Sequence, residues 1–224
     1  MKVLIFDSGP LINLSMNGLL YVIENLKKTF QGKFIISDEV KYEVCERPLK
    51  VKRFQLGAMR IKKLIDSEIL ESPSSIGIRQ EIIRKETKRL MELSNNSFNA
   101  NGKSIKIVSS AEMSCMALSS ELNKKGIENI IAIDERTARM LCEKPINIEK
   151  IMSKRLHKRV KINENKLDEL KNIKLIRSSE LIYVAHKKGL TNLKGSDALE
   201  ALLYGTKFKG SSISFEEINV LKKL

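Results

Sequence analysis

Short aliphatic runs, each closed by an acid or a small-residue turn and each followed by a segment of helical period, constrain this chain most. Val3-Leu4-Ile5-Phe6 stops at Asp7-Ser8-Gly9-Pro10. Lys33–Ser37 meets Asp38, Ile105–Val108 meets Ser109-Ser110, and Asn129–Ile133 meets Asp134. Runs this short and this continuously apolar read as strands buried on both faces rather than as helices. Strands alternating with helices imply a parallel sheet covered on both sides. The expected fold is therefore α/β, a three-layer α/β/α sandwich with a central, mostly parallel sheet, plus a helical insertion.

The pattern between the runs sets the rest of the organisation. Leu11–Lys28 carries apolar residues at helical spacing, and a second helix starts at Asp38 and stops at Pro48. Residues 49–104 read as a basic helical insertion. Phe54, Ala58, Ile61 and Ile65 mark one helix, Pro73-Ser74-Ser75 breaks it, and Ile78–Leu93 forms another. The polar stretch 94–104 (SNNSFNANGKS) reads as a flexible loop. A helix is expected from Ser109 to about Lys125, and another from Glu135 to Leu141. Residues 147–171 read as a second basic helical segment, Ile173–Ile176 as the last strand. Ser178–Lys188, Ser196–Tyr204 and Ser214–Leu224 read as closing helices, the last with a Ser214–Glu217 capping box. No internal repeat is visible, so residues 1–224 are expected to form a single domain.

Charge narrows the function. The net charge is +14. Residues 47–106 hold 14 Lys+Arg against 6 Asp+Glu, and residues 149–188 hold 12 against 5, while the stretches between are near neutral or slightly acidic. Solvated helix faces are one reading of such segments. The other is a polyanion-binding surface around an acidic centre, with nucleic acid favoured over an anionic membrane. Three cysteines without CxxC spacing argue against a disulfide framework and for a reducing, cytoplasmic setting. With only His157 and His186, neither a zinc site nor a Ser-His-Asp device is well supported. No apolar run approaches the ~18 residues of a membrane span, and the opening segment is too short for a secretory signal.

Four acids stand at or just after strand ends: Asp7, Glu43, Glu112 and Asp134. In an open α/β sheet, ligands bind beyond the carboxyl ends of the strands. Four carboxylates converging there repel one another unless a cation joins them. Oxygen ligands without His or Cys suit Mg²⁺ or Mn²⁺. Each acid also has a purely local explanation: an Asx-turn for Asp7, a capping box with Ser109 for Glu112, an N-cap for Asp134. Glu43 resists one, because Glu39 and Glu46 place like charges on its own helix face.

The run VLIFDSGPLINL resembles the opening of PIN-domain nucleases. FIISDEVKYEV, SSAEMSCMAL and IIAIDERTARML are similar to the second, third and fourth motifs of that family, and SSELIYVAHKKGL to its C-terminal helix. Residues 2–46, 105–142 and 173–221 carry the likeness. The chain departs from it in the long segment 49–104, in Ser178 where Thr is frequent, and in Glu180 where Gly is expected. The resemblance implies a metal-dependent nuclease, most often an endoribonuclease, using Mg²⁺ or Mn²⁺. In that chemistry Asp7 and Asp134, each directly after a strand, are the expected direct metal ligands, and Glu43 and Glu112 complete the shell directly or through water. Ser8 reads either as a donor to a carboxylate or the scissile phosphate, or as a plain turn hydroxyl. Homodimers, and in toxin members an antitoxin-like partner, come with the same resemblance.

In that setting Arg79, Arg84, Lys85, Lys88 and Arg89 on one side, and Lys154, Arg155, Lys158, Arg159 and Lys161 on the other, are expected to track phosphates beside the acidic pocket. Aromatic residues are 5% of the chain and Trp is absent, so few stacking platforms are expected and RNA is favoured over DNA only through the resemblance. Glu135 reads as a helix-start acid and His157 as a bystander. Two alternatives stay open: a non-catalytic nucleic-acid-binding or regulatory module on the same scaffold, and a small-molecule α/β domain, although the chain lacks a GxGxxG or P-loop.

Overall fold

The computed structural model describes residues 1–100 and 103–224. In chain order it contains β1 (Lys2–Phe6), α1 (Ser8–Met16), α2 (Leu20–Thr29), β2 (Gly32–Ile35), α3 (Asp38–Lys41), α4 (Lys52–Asp66), α5 (Gln80–Ser97), β3 (Phe98–Ala100) and β4 (Lys103–Ser104). It continues with α6 (Ser110–Lys124), β5 (Glu128–Ala132), α7 (Arg136–Glu143), α8 (Ile146–Leu156), β6 (Val160–Ile162), β7 (Leu175–Ile176), α9 (Ser178–Lys187), α10 (Ser196–Phe208) and α11 (Phe215–Lys223). The central sheet runs β2-β1-β5-β7 and is parallel throughout. β1 leads to β2 on one side, and the chain then crosses to β5 on the other. Right-handed crossovers in opposite directions put the intervening helices on opposite faces. α6 packs against β1 and β5 on one face; α1, α2 and α9 pack on one another on the other. The expected three-layer α/β/α architecture is present.

Burial explains the sequence pattern. Val3, Leu4, Ile5 and Phe6 are all buried, as a strand covered on both faces requires. α6 begins at the Ser109–Glu112 capping box and is buried almost all round, from Ala111 to Leu118. A helix apolar on every side belongs between layers, and α6 lies between the sheet and α5.

Local structure departs from the sequence reading in four places. The helix expected over Leu11–Lys28 is two helices. Gly18, at φ +69°, ends α1 in a Schellman turn, with Leu19 N–H donating to the Leu14 carbonyl at 2.8 Å and Gly18 N–H to Ser15 at 3.2 Å. Ile105–Val108 is not a strand: Ile105 and Ile107 are only half-buried. Their N–H groups donate to the Phe98 carbonyl and the Asn95 side chain, beside the end of α5. The loop expected over 94–104 is instead the end of α5 followed by β3 and β4, with residues 101–102 lying outside the described residues. The basic segment 147–171 is helical only as far as Leu156; Val160–Ile162 is a strand and Glu164–Leu170 a 3₁₀ turn.

These last two corrections are linked. β3 pairs antiparallel with β6, Asn99 opposite Lys161, and with β4, making a second sheet of order β4-β3-β6. The insertion is tied to the main layers as well. α4 packs on α1 and α2, α5 on α6, and one cluster of buried side chains includes Ile61, Leu64, Ile83 and Leu90 together with the sheet. Glu71 closes the outer edge of β2, accepting from Ile36 N–H at 3.0 Å and donating to the Phe34 carbonyl at 2.8 Å. An edge strand covered in this way is blunted against pairing with other chains. Cys45, Cys115 and Cys142 are buried free thiols. Among the described residues no helix is long and apolar enough to cross a membrane.

If the insertion shares the core, a cavity in α4 must weaken the whole molecule. Leu64→Ala, at a position 1% exposed, is expected to cost about 2–5 kcal/mol. Urea unfolding followed by circular dichroism should show one transition at a lower midpoint. A separate early transition with the main one unmoved would show that residues 49–104 fold independently.

Candidate active site

The sheet reverses its strand order between β1 and β5, and the crevice beyond that point is where an open α/β sheet takes ligands. Two acids are mounted there. Asp7 directly follows β1, and its N–H donates to the Ala132 carbonyl at 2.9 Å, extending the ladder by one residue. Asp134 stands two residues beyond Ala132. Both are buried, at 2% and 3% exposure. Gly9 leaves the space between them open: a Cβ there would lie 3.4 Å from the Asp134 Cβ and 3.5 Å from Asp7 Oδ2.

The two carboxylates differ in how they are held. Asp134 Oδ1 accepts the Ser178 N–H at 2.8 Å, and Oδ2 accepts from Asn13 Nδ2 at 3.3 Å. Burial pushes its carboxyl above the ordinary value, and the donors from Ser178 and Asn13 offset part of that rise. Asp7 caps α1, with Oδ2 accepting from Gly9 N–H at 3.3 Å. Its other oxygen, Oδ1, is buried with no hydrogen-bond partner among the described residues. Burial first, then the Glu112 charge, push the Asp7 carboxyl up to about 7, against the pull of the Ser8 and Gly9 N–H groups; Glu43 adds to the rise. Ser8 opens α1 and is half-buried.

Glu112 lies on the first turn of α6, its carboxyl raised by burial and by the charges of Glu135 and Glu43. Its Oε2 is turned back onto the Ser109 N–H at 2.6 Å, completing the capping box. Glu43 is half-buried and sits in a π turn, Tyr42–Glu46, that interrupts the helix begun by α3. Such turns occur mostly as local insertions and are frequent at functional sites. Asp7, Glu43 and Glu112 are thus electrostatically coupled, while Asp134 adjoins Asp7 across Gly9. Among the described residues no three acids, histidines or cysteines form a ready ion cage. Glu112 Oε2 is engaged by the Ser109 N–H, and the Asp134 oxygens by the Ser178 N–H and Asn13. Glu135 is the N-cap of α7, accepting from Ala138 N–H at 2.6 Å, so the cap falls one residue after Asp134.

Asn13 was not singled out from the sequence, yet it is buried and joins the site to the C-terminal helices. Its Nδ2 also donates to the Thr206 carbonyl at 2.8 Å, and its Oδ1 accepts from Asn17 at 2.9 Å. The available signal was an amide between Leu11 and Leu14 on the apolar face of a helix, where a polar group must find partners.

The basic residues are exposed but not equivalent. Arg79 at the N-cap of α5, Lys85 and Lys88 on α5, and Lys154, Arg155, Lys158, Arg159 and Lys161 around β6, form no ion pair among the described residues; Arg84 meets Asp38 at 3.4 Å. Arg89 is committed elsewhere. Its guanidinium is held between Glu86 at 2.8 Å and Glu169 at 2.5 Å, and it draws the Glu86 carboxyl down to about 2. Its charge is matched by two carboxylates, so it is a poor phosphate contact. The Glu169 bond and the β3–β6 pairing join the two basic segments, which were expected on opposite sides of the pocket. His157 ends α8 in the left-handed region, at φ 50°.

No family model matches the chain, and no curated protein or solved structure is significantly similar to it.

Asp7 makes a signed prediction about pH. Its ordinary value is 3.8 and its folded value about 7. Between those values the folded chain holds a proton that the unfolded chain releases, so this group erodes stability as pH rises. Asp7→Asn keeps an acceptor for the α1 cap and removes the charge. It is expected to melt above the parent at pH 8 and alongside it at pH 4, by thermal circular dichroism. Equal melting at both pH values would refute the buried, unpaired carboxylate.

Proposed function

We propose that the chain is a divalent-metal-dependent nuclease of the PIN type, an endonuclease acting on RNA more readily than DNA. The observation that carries this reading is Asp7 Oδ1, a buried carboxylate oxygen without a donor among the described residues, in the field of Glu112 and Glu43 at the sheet's switch point. A fold keeps such an oxygen at a cost of about 1–3 kcal/mol, more for a charged group. A cation or a proton relieves it, and an all-oxygen donor set suits Mg²⁺ or Mn²⁺. Asp7, Glu112 and Glu43 would hold the ion, with Asp134 completing the set from across Gly9. When bound, such an ion supplies charge neutralisation at phosphate and a bound water of lowered pKa.

This chain's own residues have separate tasks. Asn13 and the Ser178 N–H fix the orientation of Asp134. Glu112 releases the Ser109 N–H to turn towards Asp7, giving up a cap worth roughly 1 kcal/mol. Ser8, the first residue of α1, would donate to a phosphate oxygen. The exposed cations of α5 and the β6 region supply sequence-independent affinity for the strand. One observation favours the alternative of a non-catalytic nucleic-acid-binding module: Glu112 and Asp134 already have intramolecular partners.

Incubation of the protein with labelled single-stranded RNA and DNA separates the two readings. Cleavage is expected with Mn²⁺ or Mg²⁺ and not with chelator. Asp7→Asn should reduce it by more than the roughly 100-fold typical of an outer-shell change. Mn²⁺ should raise the melting temperature of the parent and leave Asp7→Asn unmoved. RNA binding that persists in chelator, with no cleavage under either metal, would favour the binding module.

A further inference from the structure

A second polar cleft lies on the other side of Asp134. It has a volume of about 460 Å³ and is lined by Arg136, Arg139, Arg177, Lys207, Glu143 and Glu217, among others. Four cations face two carboxylates, and the cations are not all spent. Arg177 is structural: Glu180 holds it at 2.7 Å and Glu217 at 2.8 and 2.9 Å. Arg139 is half-used. Its Nη2 donates to Glu143 at 2.6 Å, but its Nη1 is buried without a partner among the described residues, and the residue is only 9% exposed. A buried guanidinium nitrogen with nothing to donate to is costly and points to an absent acceptor. Arg136 is exposed and forms no ion pair among the described residues. Lys207 donates to the Ile213 carbonyl and stands over the Phe215 ring, 4.2 Å from its centre.

The cleft shares its walls with the acid site. Arg136 is two residues beyond Asp134, and Ser212 N–H donates to the Asp134 carbonyl at 3.2 Å. Arg177 precedes the residue whose N–H holds Asp134 Oδ1. Next to Lys207 and Ser214 of the cleft, Phe215 gathers with Tyr204 and Phe208, ring centres 6.0 to 6.5 Å apart, and Phe208 is 71% exposed. An apolar ring so exposed, beside a cleft that wants an anion, fits a nucleotide better than a free phosphate. Phosphate meets guanidinium in a charge-assisted, bidentate fashion, and an unstacked base covers an aromatic face without regard to its identity.

We infer that this cleft is a subsite for one nucleotide of a single strand, with a backbone phosphate on Arg136 and Arg139 and the base on the Phe208 ring. The inference rests on the nucleic-acid reading above and extends it, because it places a substrate contact outside the acid pocket and off the two basic segments. It also puts the chain's few aromatics to use: three of its eleven Phe and Tyr residues stand together beside this cleft.

The test is fluorescence anisotropy with a 3′-labelled single-stranded oligoribonucleotide in chelator, so that binding is read without turnover. Arg136→Ala and Arg139→Gln are each expected to weaken binding roughly tenfold and to lower the salt slope by about 0.7. Phe208→Ala should weaken single-strand binding roughly tenfold and leave duplex binding unchanged. Inorganic phosphate at matched ionic strength should compete only weakly; competition as effective as that of the oligonucleotide would replace the nucleotide subsite with a free-phosphate site. Arg136 and Phe208 are exposed, so their variants decide the matter even if Arg139→Gln does not fold. Unchanged affinity in both would overturn the inference. Cleavage intact with both affinities unchanged removes this subsite alone. Binding that is sensitive to both variants in a protein that never cleaves removes the metal-dependent reading and keeps the subsite.

Discussion

The structure depends on a carboxylate that the fold buries and that has, among the described residues, a hydrogen-bond partner for only one of its oxygens. The Asp7 backbone is fixed by the β1–β5 ladder and its side chain by its role as the α1 cap, so the carboxylate cannot swing out to solvent without giving up the cap. One oxygen is used in the cap; the other has no hydrogen-bond partner among the described residues, and the carboxyl lies in the field of Glu112 and Glu43. Removing a charge from water without a partner is among the largest local penalties a domain can carry. Around it the molecule is conventional: a parallel sheet, a largely buried helix against one face and a contiguous core. The tension is confined to the switch point, where such a sheet presents ligands.

The acids were legible because position in the chain and position in space coincide. An acid immediately after an aliphatic run lands at a strand end, and parallel strands bring their ends to one edge; Asp7 and Asp134 follow directly from this. Two of the three local explanations also hold, while the N-cap expected at Asp134 falls on Glu135. Asp7 does accept from Gly9, and Glu112 does close a box with Ser109. A residue can serve a cap and a site together, because an N-cap needs one lone pair and a carboxylate has about four. Asn13 and Arg139 stayed hidden because their partners are far away in sequence or absent, and periodicity reports only which face is buried.

The misread segments share a different cause. Residues 94–104 and 160–162 lack an apolar run, so neither looks like a strand alone; the β3–β6 pairing supplies the hydrogen bonds that short-range pattern cannot announce. Ile105–Val108 shows the converse. Its apolar residues suffice for a strand, but the chain leaves the sheet edge and uses them beside α5. Leu11–Lys28 kept its helical period across a Schellman turn, because a turn of that kind preserves apolar contacts on both sides of Gly18. The second sheet also changes the meaning of the charge distribution. Two basic blocks separated by many residues are joined through its β3–β6 pairing.

Titration of the Asp7 carboxyl carbon by NMR, with and without Mg²⁺, tests this account most directly. A midpoint close to neutrality in the metal-free protein, falling by several units when Mg²⁺ is added, is the predicted result. An ordinary carboxylate midpoint near ~4 that Mg²⁺ does not move would contradict it.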